Sequence, residues 1–299
     1  MGEFVSGFVT IIGRPNVGKS TLMNALIGQK IAIMSNRAQT TRKRIETVYT
    51  SERGQIVFQD TPGINRAKNK LGEFMLDAAT GSISDADAIM WIVEATTYIG
   101  TGEKTIIERL SKINLPIILV INKTDTVEPA EVAKAVEAYK GVLPFADIVP
   151  VSALRNKNLE ELLDVIFSHL KPGPMYYDED VVTQEKVRDI AAELIREQAL
   201  RLLDKEVPHG IAVVIDRMRE REDGTMTDVE ATIICERDSH KGIIIGKKGA
   251  MLKRIGTGAR IQIEELLEQK VNLKLWVKVR PDWRDNLMLL SEYGYKKEK

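Results

Sequence analysis

The spacing of apolar residues divides the chain into two parts with different patterns. In the first, Phe8–Ile12, Ala88–Val93 and Pro116–Ile121 are short, nearly unbroken apolar runs. Runs of that length suit strands buried on both faces and are too short for helices. Thr21–Ile27, Leu71–Ile83, Lys104–Ile113 and Pro129–Tyr139 lie between or after them and read as helices. So does the stripe Leu159, Leu162, Leu163, Ile166, Phe167 and Leu170, whose spacing lines one helix face. Ile45–Ser51 and Gln55–Gln59 flank Arg53-Gly54 and predict a hairpin, and Ile148–Val151 predicts a last short strand. Strands alternating with helices predict an α/β fold, a doubly wound and mostly parallel sheet.

After Lys171-Pro172-Gly173-Pro174 the pattern changes. A helix is expected from Thr183, burying Val187, Ile190, Ala191, Leu194, Ile195 and Leu202. Gly210–Met218 and Met226–Cys235 read as strands around a Glu222-Asp223-Gly224 turn. Two helical stretches flank residues 246–249, the second carrying Gly256 and Gly258, which are poor helix residues. Leu273, Leu275, Val277 and Val279 alternate with Lys274, Trp276, Lys278 and Arg280, a half-exposed strand, and Trp283 to Tyr295 should form a last amphipathic helix. The order α-β-β-α-α-β predicts a smaller α+β domain. The expected division is 1–171, a linker at 172–182, and 183–299.

Composition narrows the classes. With 299 residues, 43% hydrophobic, the chain can bury a core for about two domains. Lys plus Arg and Asp plus Glu each number 43, so the formal net charge is +0 and only local charge can indicate a partner. One cysteine, Cys235, excludes an internal disulfide framework and a Cys-based metal site and fits a reducing, cytoplasmic compartment. His169, His209 and His240 lie too far apart in sequence to suggest a metal site. Residues 1–12 lack the basic and apolar regions of a signal peptide, and no apolar run approaches the ~20 residues of a spanning helix.

The candidate chemistry sits where strands end. Gly13-Arg14-Pro15-Asn16-Val17-Gly18-Lys19-Ser20 fits G-x-x-x-x-G-K-[ST] between the first strand and a helix that Thr21 opens. Its N–H groups and the helix N-terminus can converge on phosphates. Lys19 adds charge at the β- and γ-phosphates, and Ser20 offers a hydroxyl to Mg²⁺. Asp60-Thr61-Pro62-Gly63 follows the hairpin and places Asp60 to hold Mg²⁺ through water, with the Gly63 N–H in reach of the γ-phosphate. Asn122-Lys123-Thr124-Asp125 follows another buried strand. An Asp125 carboxylate can accept from the ring N–H and exocyclic amine of guanine, and adenine presents the wrong groups there. Asn122 and the Lys123 stem shape the base pocket, and Ser152-Ala153-Leu154 can present a backbone N–H to the guanine oxygen. The nucleotide expected is GTP, cycling to GDP.

In the second part, Lys241, Lys247, Lys248, Lys253, Arg254 and Arg260 are basic, with no Asp or Glu between Asp238 and Glu264. With Gly246-Lys247-Lys248-Gly249 between its helices, this part resembles a type II KH domain. That resemblance implies a loop clamping single-stranded nucleic acid. Gly246 and Gly249 allow close approach, Lys247 and Lys248 contact phosphate, and Ile243, Ile244 and Ile245 line the apolar groove floor.

The order of motifs resembles the translation-factor-related GTPases and, with the KH-like part, the Era family over nearly the whole chain. The resemblance implies that 39–43 is switch I and that Thr41 is the second hydroxyl ligand of Mg²⁺, with Thr40 the alternative. Lys19, Thr41 and Gly63 then carry catalysis, and Asn16 implies a K⁺ ion at the phosphates. It also implies binding to the 3′ end of 16S rRNA, assistance to small (30S) ribosomal subunit assembly, peripheral membrane association and a monomeric chain. Ras-type enzymes place a water-orienting glutamine after the D-x-x-G glycine. Here Ile64 stands there, so slow intrinsic hydrolysis is expected. The competing expectation is a GTPase acting on another RNA, for example in tRNA modification. An RNA-binding scaffold with a vestigial nucleotide site is disfavoured because Lys19, Ser20, Asp60 and Asp125 are all present.

Overall fold

The computed structural model describes residues 3–34, 40–63, 67, 69–204 and 206–295. Gln39, in the stretch expected to be switch I, and Ile64, expected in place of a water-orienting glutamine, lie outside the described residues. The chain forms two compact units.

The first unit takes in Met1–Ala32, Thr41–Arg66 and Met75–Gln184. Its strands are β1 (Val5–Ile12), β2 (Ile45–Ser51), β3 (Gly54–Asp60), β4 (Ala88–Glu94), β5 (Ile117–Asn122), β6 (Asp147–Pro150) and β7 (Lys171–Pro172). Six lie in the order β2-β3-β1-β4-β5-β6, and β7 pairs antiparallel with the start of β1. Within that order β3, β1, β4, β5 and β6 run parallel, and β2 joins them antiparallel through the β2–β3 hairpin. β4 and β5 are apolar up to their last residues and almost wholly buried, as strands covered on both faces are, and β3 is equally buried although it carries Gln55, Gln59 and Asp60. The helices are α1 (Lys19–Ile27), α2 (Lys70–Ser84), α3 (Thr101–Leu110), α4 (Pro129–Lys140) and α5 (Leu159–Ser168). α2 begins in the second unit, which claims Ala67–Phe74.

The 172–182 stretch runs along the first unit. Gln55, fully buried, takes the Tyr176 and Tyr177 N–H groups on Oε1 at 2.8 and 3.0 Å and donates through Nε2 to the Tyr177 carbonyl at 2.8 Å. The Val48 N–H donates to the Val182 carbonyl at 2.8 Å. Thr183, whose position predicts a helix start, instead bridges Thr47 and donates its hydroxyl to the Glu46 carbonyl at 2.7 Å. A β-branched residue at a strand edge has gained a ladder partner there, and the helix starts four residues later.

The second unit holds Ile33–Thr40, Ala67–Phe74 and Glu185–Lys299. Its elements run α6 (Val187–Leu202), β8 (Ala212–Glu220), β9 (Met226–Cys235), α7 (Asp238–Ile245), α8 (Ala250–Leu267) and β10 (Lys270–Val279), ending in α9 (Leu287–Glu292). β9 pairs parallel with β10 and antiparallel with β8, in the order β10-β9-β8. Leu194 and Ile195 of α6, Ile215, Ile233 and Ile255 are among its buried core. Val187, expected inward, is exposed.

α8 is one unbroken helix despite its glycines. A Cβ at Gly258 would stand 2.5 Å from Gln198 Oε1 on α6, and one at Gly256 would stand 3.3 Å from Leu275 Cδ1 on β10. Both glycines therefore mark close approach, and packing outweighs their poor helix propensity. The amphipathic stretch from Trp283 to Tyr295 is not one helix. Trp283–Asp285 is a 3₁₀ turn, and α9 follows it, capped by Asn286 Oδ1, which accepts from the Met288 and Leu289 N–H groups at 3.0 and 3.1 Å. An Asn side chain competes for backbone donors and prefers the cap to the interior. Among the described residues no helix is long and apolar enough to cross a membrane.

Candidate functional site

The carboxyl ends of β1, β3, β5 and β6 deliver the P-loop, Asp60, Asn122 and, two residues on, Ser152, so four motifs far apart in sequence emerge at one sheet edge. The P-loop turns into α1 at Gly18, whose φ of 99° lies in the left-handed region. Lys19 is nearly buried and folds over its own loop, donating to the Gly13 and Arg14 carbonyls at 3.2 and 3.1 Å. Burial pushes its ammonium pKa down, against the pull of the Asp60 carboxylate.

Three oxygens from three segments meet beside it. Ser20 Oγ donates to Asp60 Oδ2 at 2.8 Å, Thr41 Oγ1 lies 3.2 Å from the same oxygen, and the two hydroxyls are 3.1 Å apart. Asp60 is fully buried, and its Oδ1 has no hydrogen-bond partner. Burial raises the Asp60 pKa, while Lys19 and the two hydroxyls oppose the rise. Two hydroxyls and a buried, half-satisfied carboxylate form an all-oxygen donor set of the kind a hard divalent cation takes. Thr41 supplies the hydroxyl here, and the Thr40 carbonyl accepts from Arg196 Nη2 of α6. Thr61 ties the loop after β3 to β1 by donating to the Ile11 carbonyl at 2.8 Å. After Pro62, Gly63 lies against the P-loop, where a Cβ would come 3.0 Å from Pro15 Cγ.

The base-side loops are interlocked. Asn122 Nδ2 donates to the Val17 carbonyl at 2.9 Å and its Oδ1 accepts the Ala153 N–H at 3.1 Å. Lys123 Nζ donates to the Asn16 carbonyl at 2.7 Å and pairs with Glu94, at the end of β4. Ser152 Oγ donates to Asp125 Oδ1 at 2.5 Å. The Ser152 and Ala153 N–H groups, offered to a guanine oxygen by their position after β6, have protein partners here: the Lys157 carbonyl and Asn122. Leu154 is 71% exposed. No sequence motif marks Glu94, although its place at a strand's carboxyl end is a usable signal.

In the second unit, Gly246 (φ 73°), Lys248 (φ 51°) and Gly249 (φ 80°) make a tight turn between α7 and α8 that displays Lys247 and Lys248 to solvent. Beside it, Gly249, Leu252, Lys253, Gly256, Thr257, Arg260, Leu273 and Leu275 line a groove of about 370 Å³ between α8 and β10. The groove's apolar floor is thus Leu252, Leu273 and Leu275. Ile244, expected there, has no exposed surface and packs in the core. In a helix only one face can turn outward, so three consecutive isoleucines cannot all line a groove. Lys253 and Arg254 are exposed on α8 and Lys241 is half-exposed on α7.

A phosphate-loop site with a separate guanine-type pocket, followed by a KH fold, defines a GTPase joined to a nucleic-acid-binding domain. Residues 8–123 match the family model described as 50S ribosome-binding GTPase, and residues 206–284 match the KH domain model. GTPase Era of Clostridium botulinum (strain Eklund 17B / Type B) is 50% identical over 295 residues, covering 99% of this chain and 100% of that protein. GTPase Era of Clostridium perfringens (strain ATCC 13124) is 49% identical over 296 residues, with 99% and 100% covered. A crystal structure of Era with MgGDPNP and nucleotides 1506–1542 of 16S ribosomal RNA is 40% identical, covers 98% of this chain and 99% of its own, and has a TM-score of 0.93. An Aquifex aeolicus Era variant bound to GDP·AlF4⁻ matches equally well. The chain belongs to the Era GTPase family.

Proposed function

We propose that this chain binds and hydrolyses GTP with Mg²⁺, binds the single-stranded 3′ end of 16S rRNA through its KH domain, and assists assembly of the small ribosomal subunit. The observation that carries the reading is the Ser20–Thr41–Asp60 cluster against the P-loop, in a chain half-identical end to end to Era GTPases. Lys19 and the loop N–H groups from Asn16 to Thr21 hold the phosphates. Asp125 selects guanine, with Asn122 and Lys123 shaping the pocket. Mg²⁺, held by the Ser20 and Thr41 hydroxyls and by Asp60 through water, supplies neutralising charge at the β- and γ-phosphates. The Gly63 N–H takes the γ-phosphate. Asn16 offers a place for K⁺. Lys241, Lys247, Lys248, Lys253 and Arg254 meet RNA phosphates, while Gly246 and Gly249 let the strand approach.

The nucleotide state should reach the RNA site. Thr41 belongs to the cation cluster, and the residue before it, Thr40, is held by Arg196 of α6, the helix that packs on α8. A cytoplasmic monomer, meeting the membrane only peripherally, belongs to the same reading. Crosslinking the protein to RNA in cells and sequencing what is captured tests it. Capture of the 16S 3′ end is expected. Capture of tRNA favours a role in base modification, and capture of large-subunit rRNA favours the subunit named by the family model that matches residues 8–123; either would overturn the proposal.

A further inference from the structure

Behind the P-loop lies a polar cluster, buried except for the partly exposed Arg14, that the nucleotide chemistry does not use. Arg14, the second P-loop residue, ion-pairs through Nε with Glu103 Oε1 in the first turn of α3. Glu103 is 2% exposed, an unusual place for a carboxylate unless it is paired. Around the pair, Glu103 Oε2, Tyr139 Oη and Trp91 Nε1 are buried with no hydrogen-bond partner. The Trp91 and Tyr139 rings pack edge to face at 5.7 Å. Burial, then the Glu103 charge, pushes the Tyr139 hydroxyl up to about 12, which keeps it a neutral neighbour of the pair. The stem of Arg14 lies on Gly102, where a Cβ would come 2.5 Å from Arg14 Cδ. The main chain of Arg14 is itself part of the site, since its carbonyl accepts from Lys19 Nζ at 3.1 Å.

We infer that Glu103 is a positioning residue for the nucleotide: through Arg14 it fixes the P-loop main chain that Lys19 and the phosphates read. The inference rests on the P-loop reading above. The alternative is that Glu103 only complements the N-terminus of α3, a position where any carboxylate is favourable. The two differ in what they require. Complementing a helix end needs a charge in the first turn and no guanidinium, whereas positioning needs Arg14 in reach and room for its stem over Gly102.

The test uses the full chain, with fluorescent GDP and GTP titrations in Mg²⁺ and thermal unfolding without nucleotide. Wild-type binding of guanine nucleotide checks the underlying reading by itself. Glu103→Gln and Arg14→Ala should each weaken nucleotide binding about tenfold, the scale of a lost charge-assisted contact. The double variant should be no weaker than the weaker single one, because both remove the same link. Gly102→Ala separates the alternatives even if Glu103→Gln folds poorly. Alanine is the better helix residue, so without a role for Arg14 it raises the unfolding midpoint and leaves affinity alone. With the role inferred here, affinity falls because the new methyl displaces the Arg14 stem. Unchanged affinity in Gly102→Ala, or losses that multiply in the double variant, would overturn the inference.

Discussion

Asn122 reaches across 105 residues of sequence to give its Nδ2 proton to the Val17 carbonyl at 2.9 Å. The same side chain accepts the Ala153 N–H at 3.1 Å. One amide thus ties the phosphate loop, the strand end that carries Asp125 and the loop after β6. Asn122→Ala leaves a buried carbonyl and a buried N–H without partners, at about 1–3 kcal/mol each. GTP and GDP affinity should fall roughly ten- to hundredfold, and the unfolding midpoint should drop with them. Isothermal titration and calorimetry measure both. A lower midpoint at unchanged affinity would reduce Asn122 to a structural brace.

Base choice should rest on Asp125, whose Oδ1 takes the Ser152 hydroxyl at 2.5 Å and so is held in one orientation. Asp125→Asn replaces an acceptor by an amide that suits xanthine, whose own carbonyl stands where guanine has its amine. GTP binding should be lost and xanthosine triphosphate binding gained. A variant with wild-type GTP affinity would show that Asp125 does not read the base.

Hydrolysis should be slow and faster in K⁺ than in Na⁺. Ile64 cannot orient a water, and Asn16 sits exposed at the P-loop, where its main-chain carbonyl accepts from Lys123 Nζ at 2.7 Å. Single-turnover rates in the two salts at matched ionic strength check this. Equal rates remove K⁺ from the site, and fast turnover in both removes the slow switch.

Much of this was legible in the sequence because the chemistry is local. A P-loop needs a strand before it and a helix after it, and Phe8–Ile12 and Thr21–Ile27 supply both by composition alone. The buried strands β4 and β5 read clearly because nearly all their residues are apolar and leave no polar face to confuse the period. What sequence could not supply was context from distant segments. Thr183 carries a good helix-start signal, yet Thr47 and Glu46 capture it for a strand edge. Gly256 and Gly258 look like helix breakers until Leu275 and Gln198 are seen against them. Ile244 belongs to the core because the rotation of the short α7 is set by what it packs on, and the groove floor falls instead to Leu252 of α8 and Leu273 and Leu275 of β10. The Arg14–Glu103 pair joins residues 89 positions apart and has no motif.

The last expectation concerns how the RNA and nucleotide sites answer each other. Lys247 and Lys248 are exposed at a turn whose backbone is held in the left-handed region at Lys248 and Gly249. Lys247→Asp with Lys248→Asp turns two phosphate attractions into repulsions. Affinity for a 16S 3′-end fragment should collapse, and the slope of log affinity against log salt should shrink by roughly 1.4, at about 0.7 per phosphate contact for a single strand. GTP affinity and basal hydrolysis should stay nearly unchanged, because every nucleotide motif lies before Arg155. Wild type should bind the RNA more tightly with a non-hydrolysable GTP analogue than with GDP. The γ-phosphate and Mg²⁺ should order Thr41, and the adjoining Thr40 is a hydrogen-bond acceptor of Arg196 on α6. By linkage, RNA must then tighten the GTP analogue by the same factor. Arg196→Lys keeps the charge but cannot span Thr40 and Glu193 together as the guanidinium does. In that variant the two RNA affinities should converge while each ligand still binds alone. Wild-type RNA affinity that is identical in both nucleotide states would mean two independent modules on one chain.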